Sequence, residues 1–155
     1  MGDLIQQIID RLKLITDLKF VTIWNNQFNY ISDGSVYSFP FPNAFIEVIS
    51  DNLQDIGGQY QGSDLLINIH IGQDFYNGTN IDENFNIFVL RDLLVKSLSN
   101  FQPITCGKMI KVSETQDFEH TNVYHYILGY KVHFIDNTAV NTEYYTTIPP
   151  ELILQ

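Results

Sequence analysis

"DLLINIHIG", Asp64–Gly72, is the stretch whose reading decides the fold. Leu65, Ile67, Ile69 and Ile71 fall on every second position, with Leu66, Asn68 and His70 between them. A period of two makes one apolar face only in an extended strand. Upstream, "DNLQDIGGQYQGS" (Asp51–Ser63) carries Gly57, Gly58 and Gly62 and reads as a flexible hairpin tip. The other arm of that hairpin is "NAFIEVIS" (Asn43–Ser50), where Ala44, Ile46 and Val48 oppose Phe45, Glu47 and Ile49. It is preceded by "SFPFP" (Ser38–Pro42). Pro40 and Pro42 fix their own φ, bias Phe39 and Phe41 toward extended backbone, and offer no donor for pairing. They aim the strand as it joins the sheet.

Further toward the N-terminus, "KFVTIW" (Lys19–Trp24) alternates and is expected to be a strand. The polar run after it holds an Asp33-Gly34 turn signal, with room for a small hairpin. Leu4, Ile5, Ile8, Ile9, Leu12, Ile15 and Leu18 form one helical stripe, which predicts a helix over 3–17. This amphipathic segment reads as neither a signal peptide nor a membrane span.

Downstream, a second helix is expected over 82–99. Phe85, Ile87, Val89, Leu90, Leu93, Leu94 and Leu98 make a very wide apolar arc, and Phe88 and Val95 project among the polar residues, Arg91 with them. A helix apolar nearly all round is either deeply buried or touched from two sides. "TCGKMIKVSE" (Thr105–Glu114) and "NVYHYILGYKVHFID" (Asn122–Asp136) read as strands. In the latter, Tyr124, Tyr126, Leu128, Tyr130, Val132 and Phe134 share a face, with His125, Lys131 and His133 on the other. The last twenty residues read as an arm, and Leu152, Ile153 and Leu154 give it an apolar end suited to docking. The expected architecture is α+β: a mostly antiparallel sheet of four to six strands packed against two helices, a single domain over 1–135 and a C-terminal arm over 136–155.

The chain has 155 residues, 45% of them apolar, with 11 Phe and 9 Tyr. That length buries a proper core without staples. Eight basic against 18 acidic residues give a net charge of -10, which argues against gripping nucleic acid, because phosphate affinity comes mostly from Lys and Arg. Cys106 is the single cysteine, so no internal disulfide forms. Asn77-Gly78-Thr79 matches a glycosylation sequon but reads as a turn.

No motif announces a chemistry. "QDFEH" gathers Asp117, Glu119 and His120, the material of a metal-dependent hydrolase, but a metal site needs several groups converging on one point. A local cluster in a turn is more often solvated loop. His125 and His133 share a strand face yet stand too far apart for one ion. No glycine-rich phosphate loop or nucleophile elbow is present. The Tyr124/Tyr126/Tyr130 stripe suits a sheet core or interface, or else a small monomeric binding module. No enzyme activity, cofactor or metal is expected.

The succession of an amphipathic helix, the proline-led "FPNAFIEV", the strand "DLLINIHIG", a helix carrying Arg91-Asp92, and the turn "ETQDFEH" before a long last strand resembles the tail-terminator and tail-completion proteins of tailed bacteriophages. The resemblance covers roughly residues 1 to 135, and the arm departs from it. It implies a structural virion protein, made in the host cytoplasm, that forms a homo-oligomeric ring at the head–tail junction. A hexamer is the first expectation and a dodecamer the second. Neighbouring neck, connector and tail proteins would be partners, with no membrane, and DNA would pass without specific binding. Another neck component of similar build stays open. Phe88, Arg91 and Val95 are the expected subunit contacts, and Leu152, Ile153 and Leu154 the docking end.

Overall fold

A computed structural model describes residues 1–32, 39–74, 81–120 and 123–140. Its elements are α1 (Gly2–Lys13), β1 (Phe20–Ile23), α2 (Gln27–Ser32), β2 (Asn43–Gly57), β3 (Tyr60–Asp74), α3 (Ile81–Leu98), β4 (Ile110–Asp117) and β5 (Val123–Asp136). The strands form one sheet in the order β1-β2-β3-β5-β4. β1 runs parallel to β2, and the other three pairings are antiparallel. The expected α+β class with a mostly antiparallel sheet is what the chain adopts.

Alternation sorts the side chains as the sequence predicts. Ala44, Ile46, Leu65, Ile67, Ile69, Ile71, Leu128, Tyr130 and Val132 are fully buried on one face. They meet Leu4, Ile8 and Leu12 of α1 and Ile87, Leu90, Leu94 and Leu98 of α3 in a single cluster. Each such Leu or Ile contributes about 1.5–3 kcal/mol by leaving water. Arg11 ties the two helices, its Nε donating to the Ser97 carbonyl at 3.2 Å while its guanidinium lies over Phe101.

Three sequence expectations need correction. Asp51–Ser63 is not a loose tip, because β2 and β3 stay paired out to Gly57 and Tyr60. The turn itself is only Gly58-Gln59, and positive φ at Gly57 and Gly58 explains the two glycines. The polar run after β1 opens with α2 rather than an extended arm, and its Asp33-Gly34 turn signal lies outside the described residues; Gln27 reaches back to the Ile23 carbonyl at 2.7 Å and to the Asn25 N–H at 2.6 Å. The strand expected from Thr105 begins at Ile110, leaving Cys106 in an isolated bridge to Phe134. Leu152, Ile153 and Leu154 lie outside the described residues.

The opposite face of the sheet carries a second, aromatic core. Phe28 from α2 and Phe45 from β2 are fully buried there with Val123, and Trp24, Phe39 and Phe41 pack around them. The proline-led segment therefore supplies two aromatic side chains as well as a direction. The Pro42 carbonyl accepts from the Lys19 N–H at 2.8 Å, at the start of the β1–β2 pairing.

Candidate functional site

The aromatic core surrounds three of the four histidines. Strand register puts Asn43, Gly72, His125 and Asp117 in one row across β2, β3, β5 and β4. The next row along β3 on this face holds Phe45, His70, Ile127 and Thr115, and the one beyond it Glu47, Asn68, Gly129 and Ser113. Gly72 leaves the space above the first row to the Phe28 ring, which meets His125 edge-on at 4.8 Å between centroids. Trp24 stacks flat on His70, 4.1 Å between centroids and 5° from parallel.

Under this cover the polar groups form a chain. Glu47 Oε2 stands 3.3 Å from His70 Nε2, and His70 Nδ1 stands 2.9 Å from His125 Nε2. His125 Nδ1 is 2.9 Å from Asp117 Oδ2, and His120 Nε2 is 3.6 Å from that same oxygen. The other Asp117 oxygen accepts the Glu119 N–H at 2.9 Å, and Asn68 donates to Glu47 Oε2 at 2.7 Å. One donor atom from each of Asp117, His120 and His125 lies within 4.8 Å of the others.

Burial governs the electrostatics. Desolvation, helped by the neighbouring His70, pushes His125 down to about 4 against the pull of Asp117. Desolvation lowers His70 too, with Glu47 opposing. At Asp117 burial raises the carboxyl, but the Glu119 N–H and the two histidines outweigh it and leave it lowered.

The sequence-predicted contact residues occupy the helical side of the sheet. Phe88 is 42% exposed, with Phe85 at 58% and Val89 at 57% beside it. Phe88 lies 6.2 Å from the Tyr126 ring and 6.4 Å from Tyr124. Arg91 is engaged within the chain: its Nε and Nη2 grip the two oxygens of Glu114 at 2.9 and 2.5 Å, and its Nη1 donates to Asp92 at 2.7 Å. Lys111 also donates to Glu114, and the Tyr126 hydroxyl donates to it at 2.6 Å. Val95 is half-buried against the main core.

Of the turn cluster, the structure brings together Asp117 and His120 and leaves Glu119 exposed, contributing only its backbone N–H. His125, His70 and Glu47 are the members that sequence reasoning missed. A hairpin closing near residue 121 would have set Asp117 opposite His125, which is where they pair. His133 belongs elsewhere, with Asp64 at 3.2 Å on open surface. Among the described residues no helix is long and apolar enough to cross a membrane. No protein-family model matches the chain, and no curated protein matches its sequence.

Proposed function

We propose that the chain is a structural, non-enzymatic protein that assembles with its own copies into a ring, and that this ring serves as a tail terminator or related neck component at a phage head–tail junction. The observation that carries assembly is the second apolar face of α3. Ile87, Leu90, Leu94 and Leu98 point into the core, while Phe85 and Val89 are exposed on the other side and Phe88 is part-exposed at the flank, over Tyr124 and Tyr126. An isolated domain gains nothing from that second face, and clustered exposed aromatic residues mark contact surfaces. The head–tail placement rests on the order of elements and on the net charge of -10, which would let DNA pass without being held. The monomeric binding module is disfavoured because Tyr130 is fully buried and Tyr124 and Tyr126 pack against the main core.

Light scattering on the purified chain tests the assembly. A discrete mass near six or twelve times 17.9 kDa is expected, with a central opening in negative-stain images. The F85S/V89S double variant should lower that mass without lowering the thermal midpoint of the monomer. A monomer at every concentration, or an oligomer indifferent to that variant, overturns the reading.

A further inference from the structure

We propose that Asp117 Oδ2, His120 Nε2 and His125 Nδ1 bind one divalent transition-metal ion of the Zn2+ type, with His70 and Glu47 as its outer partners and one coordination position left to water. The three donors belong to one corner of the fold. Asp117 ends β4, His120 sits in the connection after it, and His125 lies in β5 opposite Asp117. A tetrahedral ion with bonds of about 2.0–2.1 Å needs donor separations of about 3.3 Å. The His125–Asp117 and Asp117–His120 distances of 2.9 and 3.6 Å bracket that value; all three donors lie within 4.8 Å of one another, and a small rotation of the His120 side chain closes the set around an ion. The Glu119 N–H occupies the far Asp117 oxygen, so Oδ2 is the one turned toward both histidines.

The hydrogen-bond chain supplies an independent reason. Three contacts run from Glu47 through His70 and His125 to Asp117, and each needs one proton between its two atoms. Two neutral imidazoles carry two ring protons. One contact is therefore left with two lone pairs facing each other, unless a cation lies in it, a carboxyl at one end of the chain keeps its proton, or an imidazole 1–5% exposed takes a full positive charge. If His125 Nε2–H donates to His70 Nδ1 and His70 Nε2–H donates to Glu47, the contact without a proton is His125 Nδ1 against Asp117 Oδ2. That is the arrangement a metal requires: a bare ring nitrogen beside a carboxylate, with the ligand's other nitrogen donating to a partner that fixes its tautomer.

Imidazole donors select Zn2+, Co2+, Ni2+, Cu2+ or Fe2+ over Mg2+ and Ca2+, which want oxygen. His120 and His125 are nearly enclosed, whereas the Asp117 side chain is 22% exposed and gives an ion its way in. Bound there, the ion would join the β4–β5 connection to β5 directly, and to β3 and β2 through His70 and Glu47.

The test is titration of the chelator-treated, folded full-length chain with Zn2+ and, separately, Co2+. One ion per chain is expected, with a raised thermal midpoint and the visible d–d bands of four-coordinate Co2+. A parallel anaerobic Fe2+ titration identifies the preferred ion, and saturable uptake of either supports the site. D117N keeps the side-chain size and the Glu119 contact, and H120A removes a ligand outside the strands. Each should cost more than the roughly 10–100-fold in affinity that follows from disturbing an outer partner, as in E47Q. H133A, outside the cluster, should leave uptake unchanged. No saturable uptake by the folded chain, or uptake that survives both D117N and H120A, overturns the proposal. The read-out is metal per chain, so it stands or falls separately from the mass of the assembly.

Discussion

At Gly72 an added Cβ would lie 2.4 Å from the Phe28 ring and 2.4 Å from Asn43 Oδ1. Both neighbours are fully buried, so neither yields cheaply. G72A is expected to lose about 1–3 kcal/mol in urea unfolding, whereas G62A, whose Cβ would meet only Ile56 at 3.4 Å, should stay within about 0.5 kcal/mol. Glu114 is the second instructive residue. Arg91 holds its carboxyl down at about 2, with Lys111 and Tyr126 helping and burial opposing. In the unfolded chain it titrates near the ordinary ~4.3. The unfolded state therefore takes up its proton first as pH falls. The stabilisation is complete above about pH 4.5 and is lost as pH drops toward 2. Partial exposure of the pair leaves it at about 1–2 kcal/mol. E114Q should be less stable by that amount at neutral pH, with the gap closing toward pH 2 in urea midpoints taken across the range.

Among the elements, α3 is the one with two demands on it. L94A, on its core side, is expected to cost about 2–5 kcal/mol, while F85S, on its outer side, should leave monomer unfolding within about 0.5 kcal/mol. Chemical denaturation of both variants separates the two faces. The contrast between them was not legible in the sequence, which puts Phe85 and Leu94 in one apolar arc; the sorting of β2, β3 and β5 was, because period-two alternation of apolar residues admits a single reading. Less legible were the elements whose form is imposed from outside. The residues between Asp51 and Tyr60 have the composition of a loop, yet they are held in the ladder by partners across a two-residue turn. α2 is six residues long and shows no apolar period; its reason for existing is Phe28, which fills the space over Gly72. The histidine chain depended on strand order. His70 and His125 are 55 positions apart and meet only because β5 lies next to β3.

At the scale of the whole molecule, charge opposes assembly. Copies each carrying a net charge of -10 repel one another, and salt screens that repulsion over about 10 Å at 0.1 M. Raising the salt from about 0.05 to 0.5 M should therefore increase the oligomer fraction in light scattering at fixed protein concentration; a decrease would mean that the subunits meet through opposite charges instead. The central position of β3 has a consequence of another kind, in the order of synthesis. Along one edge it pairs with β2 across a two-residue turn, but along the other Gln61 waits for Asp136 and Asp74 for Val123. At about 5–20 residues per second a ribosome needs several seconds to deliver that partner. Until then the nascent chain displays an unpaired strand edge, and a row of isoleucines lacks half its cover. The window in which this chain is most exposed to misassociation or to a chaperone is thus set by the sequence distance between its third and fifth strands.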